Sequence, residues 1–413
     1  MTPGDVVDVA IVGAGPAGTT LAAALARRGV DVLVLERSPA WHWRAGGVFA
    51  SPAAVAALRR AGSSEATVRA VTQPIPAMRL ETPAGTTVRL TYGADAGRPM
   101  AVGFDRSALD PALERLAIES GASIERGSTV HAVRLGRSSG SGTRHLLDLG
   151  DREVAARVVV GADGTHSVVA RAAGVARPAR LPPRVGLTWH VTDPRPETDP
   201  PVDARMVVGR DAYVGLARVP GGRLNIGVVL GPSWLAGLSA EGAAPTVRRV
   251  LDAIPCRDDD PVDWGAAPVC DRIAGASPLG MRVTRRAGPG WFLVGDACGF
   301  LDPFTGEGIH RALVSTELAA PAILSALGRG RDDADAARAA AAYDRAMTRR
   351  FATKDAVSWL VQTFLGRPWL FEYAARRLAE RPRTRATMGL VMGDLIPASR
   401  ALDPRFLAAL LAP

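Results

Sequence analysis

The chain has 413 residues, a hydrophobic share of 47% and a formal net charge of +9, which is enough length for two or three domains with buried cores. Lys354 is the single lysine, and no basic run is interleaved with aromatic residues, which argues against a nucleic-acid-binding surface. No stretch of 18 apolar residues predicts a membrane-spanning helix, and no basic n-region predicts a signal peptide. The three cysteines have neither metal-ligand nor disulfide spacing, so we expect a cytoplasmic protein without a metal site.

The first predicted element is a buried strand, Val6 to Val12, that leads into the sequence GAGPAG at positions 13–18. This matches the dinucleotide fingerprint G-x-G-x-x-G, in which glycines allow a tight turn, backbone contact with a pyrophosphate and close helix packing. A helix follows, and a second strand ends at an acid suited to ribose hydroxyls. The candidate cofactor-binding residues of this unit are Gly13, Gly15, Ala17, Gly18, Glu36 and Arg37.

The next segment, WHWRAGGVFA (41–50), precedes a helix predicted from Pro52 to Arg60. Arg-Ala-Gly followed by a helix that ends in Arg-Arg-Ala-Gly resembles the flavoprotein hydroxylases of the para-hydroxybenzoate hydroxylase type. The resemblance implies that Arg44 contacts the flavin of FAD and acts in catalysis, and Gly46 lies in the same loop. A later helix, which we expect to begin near Asp105 or Ser107, resembles the family's R-x-x-L-x-x-x-L helix, whose arginine reaches FAD.

In this sequence that arginine is Arg106, and Val130 is a further candidate contact with the cofactor. A second signature, VVVGADG (158–164), matches the family's Asp-Gly motif, which implies that Asp163 supports the flavin and the nicotinamide. The third signature, GDACGFLDPFTGEGIH (295–310), implies that Asp296 binds the ribityl chain. It further implies that the start of the following helix binds the pyrimidine edge of the flavin. The residues assigned to this segment are Gly306, Gly308 and Ile309 for the cofactor, with Pro303 and His310 beside the reacting atoms.

Between residues 178 and 264, proline-rich loops alternate with four strand-like runs, which predict an antiparallel sheet. In the family such a sheet covers the substrate pocket. The candidate substrate-binding residues are Trp189, His190, Tyr213 and Asn225. From residue 331 onward the sequence predicts helices with a broad apolar face. They could form core packing or a dimer interface, or instead a lid or a surface that docks on a membrane or a carrier protein.

These signatures predict an α/β fold: a Rossmann-type FAD-binding domain with an inserted antiparallel β-sheet substrate domain and C-terminal helices. The FAD-binding domain is expected in three parts (1–74, 104–177 and 265–330), the substrate domain in two (75–103 and 178–264), and the helical region over 331–413. No second fingerprint is present, so NAD(P)H is expected as a transient reductant of FAD, and the protein as a monomer or homodimer that acts on a small molecule.

Three reactions stay open. The leading interpretation is a monooxygenase that inserts one oxygen atom into an apolar, aromatic, polyketide-like or isoprenoid-like substrate. The second is a reductase of a carbon–carbon double bond, because DPFTGEGI (302–309) is closer to geranylgeranyl-reductase-like proteins. That branch usually has a cysteine where Ala45 stands, and an aromatic strand before a Phe-Pro where this chain has GLARVP (215–220). The third is a non-redox cyclase that retains bound FAD. The W-x-W-x-I-P motif of flavin halogenases is absent.

Overall fold

The computed structural model describes residues 6–92, 100–136, 144–197, 200–254, 263–328 and 333–411. Its strands are β1 (Val6–Val12), β2 (Val32–Glu36), β3 (Phe49–Ala50), β4 (Thr72–Ile75), β5 (Ala77–Glu81), β6 (Thr87–Thr91), β7 (Ala101–Phe104), β8 (Ser123–Arg126), β9 (Ala132–Arg134), β10 (His145–Asp148), β11 (Glu153–Gly161), β12 (Ala176–Pro178), β13 (Val185–Thr192), β14 (Ala204–Gly209), β15 (Ala212–Val219), β16 (Arg223–Leu230), β17 (Ala274–Ala276), β18 (Met281–Val283), β19 (Ala287–Gly288) and β20 (Trp291–Leu293). Its α-helices are α1 (Pro16–Ala26), α2 (Pro52–Ala61), α3 (Glu65–Val71), α4 (Arg106–Glu119), α5 (Val168–Ala172), α6 (Pro232–Glu241), α7 (Ala243–Ala253), α8 (Gly308–Leu327), α9 (Asp333–Leu365), α10 (Pro368–Glu380), α11 (Pro382–Met392) and α12 (Pro404–Leu411).

An eight-stranded sheet carries the dinucleotide fingerprint. Its main path runs β19-β20-β11-β1-β2-β8, and β1 pairs in parallel with both β11 and β2. The strands are apolar on both faces because helices, chiefly α1 and α8, cover the sheet. Parallel strands end at the same edge, so the segments that follow β1, β11 and β20 lie side by side. The three signatures of the sequence therefore meet at one edge.

A seven-stranded sheet, ordered β17-β13-β16-β15-β14-β5-β6, forms the second layer. Four of its strands follow the four runs expected between residues 178 and 264, and they pair antiparallel. The pair β14–β5 is parallel, which departs from the purely antiparallel sheet that the sequence predicted. It arises because β5 and β6 come from an earlier segment and join the edge of the later hairpins. The expected fold, an FAD-type Rossmann domain with an inserted sheet and C-terminal helices, is confirmed.

The C-terminal helices pack on one face of the seven-stranded sheet. Helix α9 runs unbroken through 33 residues, because its sequence contains neither Pro nor Gly until Gly366 and Pro368 end it. Apolar side chains of α9, α10 and α11 form a core cluster with β6, β14 and β15. Within the described residues, no helix combines the length and the apolar character that crossing a membrane requires.

Candidate flavin-binding site

In the glycine-rich turn after β1, packing within the protein leaves no room for a side chain at two of the glycines, whereas the third borders open space. A Cβ on Gly13, whose φ is +103°, would lie 2.6 Å from the carbonyl oxygen of Ala162, and one on Gly18 would lie 1.9 Å from the carbonyl oxygen of Gly13. A Cβ on Gly15 would meet nothing within 4 Å. Packing inside the chain therefore requires Gly13 and Gly18, whereas Gly15 leaves open space at the start of α1, as a site for a pyrophosphate needs. Ala17 is buried in α1.

Glu36, at the end of β2, is 3% exposed and accepts three hydrogen bonds. The donors are the Ala14 amide at 2.9 Å, the Ser38 amide at 3.0 Å and Arg44 Nη2 at 2.7 Å. Burial raises the pKa of Glu36, but these hydrogen bonds outweigh it and bring the pKa to about 2. The structure thus joins Arg44 to the acid expected at the ribose, and a contact of Arg44 with the flavin stays a prediction. The neighbouring Arg37 is exposed.

Two half-buried acids follow adjacent strands at the same sheet edge. Asp163, after β11, accepts a hydrogen bond from the Val168 amide at 2.7 Å through Oδ2, whereas its buried Oδ1 has no partner within the described chain. No described residue hydrogen bonds to the carboxylate of Asp296, which follows β20; the cations Arg311 and Arg106 lie near it. Burial raises the pKa of both acids. Unsatisfied buried acceptors are rare, so this edge has the character of a site for a ligand with hydroxyl and N–H donors.

Arg106, the first residue of α4, connects this edge to the loop after β2. It forms two hydrogen bonds to Asp110, at 2.7 and 2.8 Å, and donates to the carbonyl oxygen of Gly47 at 3.3 Å. A Cβ on Gly46 would lie 3.0 Å from Arg106 Nη1. The structure therefore places Arg106 beside Gly46 and near Asp296, and the contacts of these residues with FAD stay predictions. Val130 instead lies in the apolar core of the eight-stranded sheet and is 6% exposed.

The segment between Pro303 and the start of α8 bounds the site on another side. Gly306 has φ +67°, and a Cβ there would lie 2.5 Å from a ring carbon of Phe49. A Cβ on Gly308 would meet nothing within 4 Å, so the N-terminal amides of α8 border open space. Ile309 is buried against α2 and α4. The ring of His310 is also buried, and its Nδ1 lies 3.0 Å from Asp394 Oδ2.

The four candidate substrate residues do not share one face of the seven-stranded sheet. His190, Asn225 and Tyr213 lie on the face that includes Met206 and Val229, because paired residues of antiparallel strands project to the same side. Trp189 projects to the opposite face and packs with α7, so it does not share a face with the other three candidates, and a contact of Trp189 with substrate stays a prediction. Adjacent residues of a strand cannot face the same pocket.

His190 and Tyr213 have protein partners. His190 Nδ1 lies 2.6 Å from Asp271 Oδ2, and its ring packs on Trp43 with centroids 4.4 Å apart. Burial lowers the pKa of His190. Asn225 Nδ2 donates to Thr188 Oγ1 at 2.9 Å. The Tyr213 hydroxyl donates to Asp302 Oδ1 at 2.6 Å, which places it directly beside Pro303.

Sequence reasoning missed several polar residues around the site. Asp302 accepts from Tyr213 and pairs with Arg184 at 2.9 Å, and Lys354 and Asp394 approach the start of α8 from the C-terminal region. The uniqueness of Lys354 was the one available signal. Asp302 lies within the segment DPFTGEGI but was assigned no role, and Asp394 has no local motif, because its partners are distant in sequence.

Comparison with known families agrees with this geometry. Residues 6–334 match the family described as an FAD binding domain. The chain belongs to this family. It is an FAD-dependent oxidoreductase of the superfamily that includes para-hydroxybenzoate-hydroxylase-type and geranylgeranyl-reductase-like flavoproteins.

Two curated relatives of this flavoprotein are reductases. It is 30% identical over 332 residues to a menaquinone reductase of Mycolicibacterium smegmatis, covering 77% of this chain and 76% of the relative. It is 26% identical over 342 residues to digeranylgeranylglycerophospholipid reductase 1 of Methanococcoides burtonii, with 77% and 76% covered.

Solved structures share the fold of the flavoprotein. The halogenase PltM, in complex with phloroglucinol and FAD, has a TM-score of 0.72 at 18% identity, covering 98% of this chain and 86% of that one. PqsL of Pseudomonas aeruginosa, described as a probable FAD-dependent monooxygenase, has a TM-score of 0.70 at 20% identity, covering 89% and 99%. At these identities the likeness shows the fold alone.

Proposed function

We propose that this flavoprotein is a reductase that adds hydrogen across a carbon–carbon double bond of an apolar, isoprenoid-like substrate, with FAD reduced by NAD(P)H. The observation that carries the proposal is the match, over about three quarters of the chain, to curated reductases whose names denote isoprenoid-bearing lipids. The sequence favoured oxygen insertion first; we propose the reductase first because these curated relatives are reductases.

Part of the face of the seven-stranded sheet that carries Tyr213 suits an apolar substrate. The same face also carries the polar residues His190 and Asn225, and its Met206 belongs to the core cluster of the C-terminal helices. Gly215 and Gly227 pair across β15 and β16, and Met206 and Ala217 flank them on the same face. The nearest atom to a Cβ on Gly227 would be 3.9 Å away and, on Gly215, 3.5 Å away. A strip of small and apolar side chains binds a hydrocarbon chain by burying its surface and excludes water from the reacting atoms.

The residues at the edge of the eight-stranded sheet fit FAD. Gly15 and Gly308 leave room for pyrophosphate and ring, and the unpartnered oxygens of Asp163 and Asp296 suit ribityl hydroxyls and flavin N–H groups. Bound FAD, once reduced, provides the hydride chemistry. The chain binds and orients the cofactor, holds negative charge at the start of α8 through backbone amides, and positions the substrate.

The contacts of His310 support a role other than a side chain beside the reacting atoms, the position that the sequence predicted. Its ring atoms face Asp394 and Arg350, so we propose that its backbone amide serves the flavin while the ring positions α8. We propose Pro303 beside the substrate, because Phe304, the next residue, contacts the ring of Tyr213 with centroids 5.1 Å apart.

Oxygen insertion is the second candidate. It is supported by the departures from the reductase pattern, Ala45 and GLARVP (215–220), and the fold is shared with a probable monooxygenase. Under this proposal the apolar strip would bind the same class of substrate, and only the fate of the reducing equivalents would differ.

A single-turnover experiment separates the candidates. The holoprotein is reduced anaerobically and mixed with a menaquinone or a geranylgeranyl ether lipid, and the product is analysed by mass spectrometry. Product that gains two hydrogen atoms without oxygen supports the reductase. Product that forms only with heavy-isotope oxygen, and carries the label, contradicts it and supports a monooxygenase. Product formed by oxidised enzyme without reductant contradicts both and indicates a cyclase.

A further inference from the structure

The start of α8 is joined to the C-terminal region by a buried cluster of charged residues. Glu307, His310 and Arg311 lie within residues 6–334, the part of the chain that matches the FAD-binding family. Lys354 in α9 and Asp394 after α11 lie beyond it. Lys354 is 3% exposed and His310 2% exposed, so these groups interact away from water.

Asp394 accepts contacts from three directions. His310 Nδ1 and Ser51 Oγ each lie 3.0 Å from Oδ2, and Lys354 Nζ lies 2.9 Å from Oδ1. Burial raises the pKa of Asp394, but the His310 hydrogen bond and the Lys354 charge outweigh it and hold the pKa well below the usual range. Asp394 also has φ +57°, a left-handed conformation that costs free energy for a residue other than glycine. A strained, fully partnered anion is retained here at the N-terminal end of a helix.

Lys354 lies between two acids. Besides Asp394, its Nζ donates to the carbonyl oxygen of Val391 at 2.8 Å and is 3.6 Å from Glu307 Oε1. Glu307 directly precedes Gly308, the first residue of α8. The single lysine of the chain therefore places its charge next to the helix end that the resemblance assigns to the pyrimidine edge of the flavin.

The other groups facing the cluster complete its charge. Arg350 Nη2 lies 3.5 Å from His310 Nε2, and because a guanidinium can only donate, the tautomer that fits both contacts has its proton on Nδ1 and donates it to Asp394. Arg311 pairs with Asp355 and lies 3.8 Å from Glu307. Arg350, Lys354 and Arg311 thus face Asp394, Glu307 and Asp355, so the formal charges balance.

We propose that Lys354 and Asp394 form a charge pair that sets the electrostatic potential at the start of α8 and thereby tunes the reduction potential of bound FAD. Both are positioning residues, because they act through α8 and His310. The inference rests on the proposed placement of the flavin at this helix end. A cation near that position favours the reduced flavin, which carries more negative charge, and an anion disfavours it.

The pair makes opposite predictions for its two members. Lys354→Met removes a cation, so the midpoint potential of the bound flavin should fall. Asp394→Asn removes an anion, and since asparagine tolerates a left-handed φ, the potential should rise. Each shift should be about tenfold in the equilibrium ratio of reduced to oxidised flavin, which is ~30 mV for a two-electron couple. Potentials are measured by equilibration with reference dyes under anaerobic conditions.

Matched variants separate charge from structure. Lys354→Met/Asp394→Asn removes both charges and should return the potential close to wild type, and Lys354→Arg should preserve it. Asp211→Asn is the control for the backbone, because Asp211 also has a left-handed φ of 55° but lies on the turn between β14 and β15. Arg376→Met removes an exposed cation of α10. Neither control should move the potential.

A purely structural role would give a different result. Shifts of the same sign in the two single variants, or no shift in variants that retain FAD, would overturn the inference. If one single variant does not fold, the double variant and Lys354→Arg decide, because a potential far from wild type in either contradicts it. Wild-type protein that takes up no FAD would instead contradict the proposed function itself.

Discussion

Acidic side chains in the two sheets differ in whether the chain itself provides their hydrogen-bond donors. At the edge of the eight-stranded sheet, Asp163 and Asp296 are half-buried; Asp163 Oδ1 has no partner among the described residues, and none of them hydrogen bonds to the carboxylate of Asp296. Burial raises the pKa of both acids. In the seven-stranded sheet, Glu81 accepts two hydrogen bonds from Arg205, at 2.7 and 2.9 Å, and lies 3.8 Å from Arg79. Glu81 therefore has its hydrogen-bond donors within the chain, whereas Asp163 and Asp296 retain acceptor oxygens that no described residue satisfies. This difference supports the proposed position of the cofactor at the edge of the eight-stranded sheet.

The largest expected effect on stability comes from loss of the buried ion pair between Arg205 and Glu81. Among the described residues, Arg205→Met leaves the buried Glu81 with Arg79, 3.8 Å away, as its one cationic partner, so the free energy of unfolding should fall by about 3 kcal/mol. Chemical denaturation measures it. Arg89→Met, which removes a half-exposed pair with Asp203 in the same sheet, should cost less than about 1 kcal/mol. Equal costs for the two variants would mean that burial does not distinguish these pairs.

Removal of Asp296, which has no hydrogen-bond donor among the described residues, should lower the affinity for FAD rather than the stability of the chain. Asp296→Ala deletes a charge-assisted partner of the bound cofactor, so affinity for FAD should fall by about tenfold to a hundredfold. Fluorescence titration of the apoprotein with FAD measures this affinity. The apoprotein itself should lose no stability, because no described residue hydrogen bonds to this carboxylate. If the variant apoprotein is less stable and its affinity for FAD is unchanged, then the chain itself provides the partners of Asp296.

Asp163 should reveal what an unsatisfied acid costs the chain. Because its folded pKa is raised, the ionised carboxylate opposes folding once the pH exceeds its unfolded pKa. Asp163→Asn keeps an acceptor for the Val168 amide and should stabilise the apoprotein by about 1 kcal/mol at pH 8. The gain should disappear below about pH 4, and it should shrink when FAD is bound. Thermal unfolding at the two pH values, with and without FAD, measures it; destabilisation of the apoprotein would contradict the interpretation.

The smallest expected effect concerns Glu36. This acid lies at the same edge of the eight-stranded sheet, but the chain itself provides its hydrogen-bond donors. Its pKa is lowered from 4.5 to about 2, so its stabilisation is full above pH 4.5 and is lost as pH falls toward 2. Arg44→Ala should raise that pKa and make the loss shallower, by less than about 1 kcal/mol, because Arg44 is 41% exposed. Acid titration of the unfolding free energy measures this. A slowed reduction of FAD in the variant would support the flavin contact that the sequence predicted.

The predictability of the molecule follows the range of its interactions. The unit from β1 to Glu36 and the four strands from Val185 to Leu230 were predicted because periodicity and glycine positions are local signals. The sequence also contained the reason to separate Trp189 from its neighbour His190, because adjacent residues of a strand project to opposite faces of the sheet. Asp394 could not be found in this way. Its partner Ser51 is 343 positions away, and its role depends on a turn after α11 that has no motif.

The parallel pair β5–β14 has a consequence for how the chain acquires its fold. Glu81 and Arg205, which bond across it, are 124 positions apart. During synthesis, the β5–β6 hairpin therefore emerges long before β14, the strand that pairs with its edge. Until β14 is made, the backbone groups at the edge of β5 stay unpaired. Contacts of such high sequence separation slow folding and expose partly formed sheets to association with other chains. We expect refolding yield, more than equilibrium stability, to be sensitive to substitutions in this hairpin.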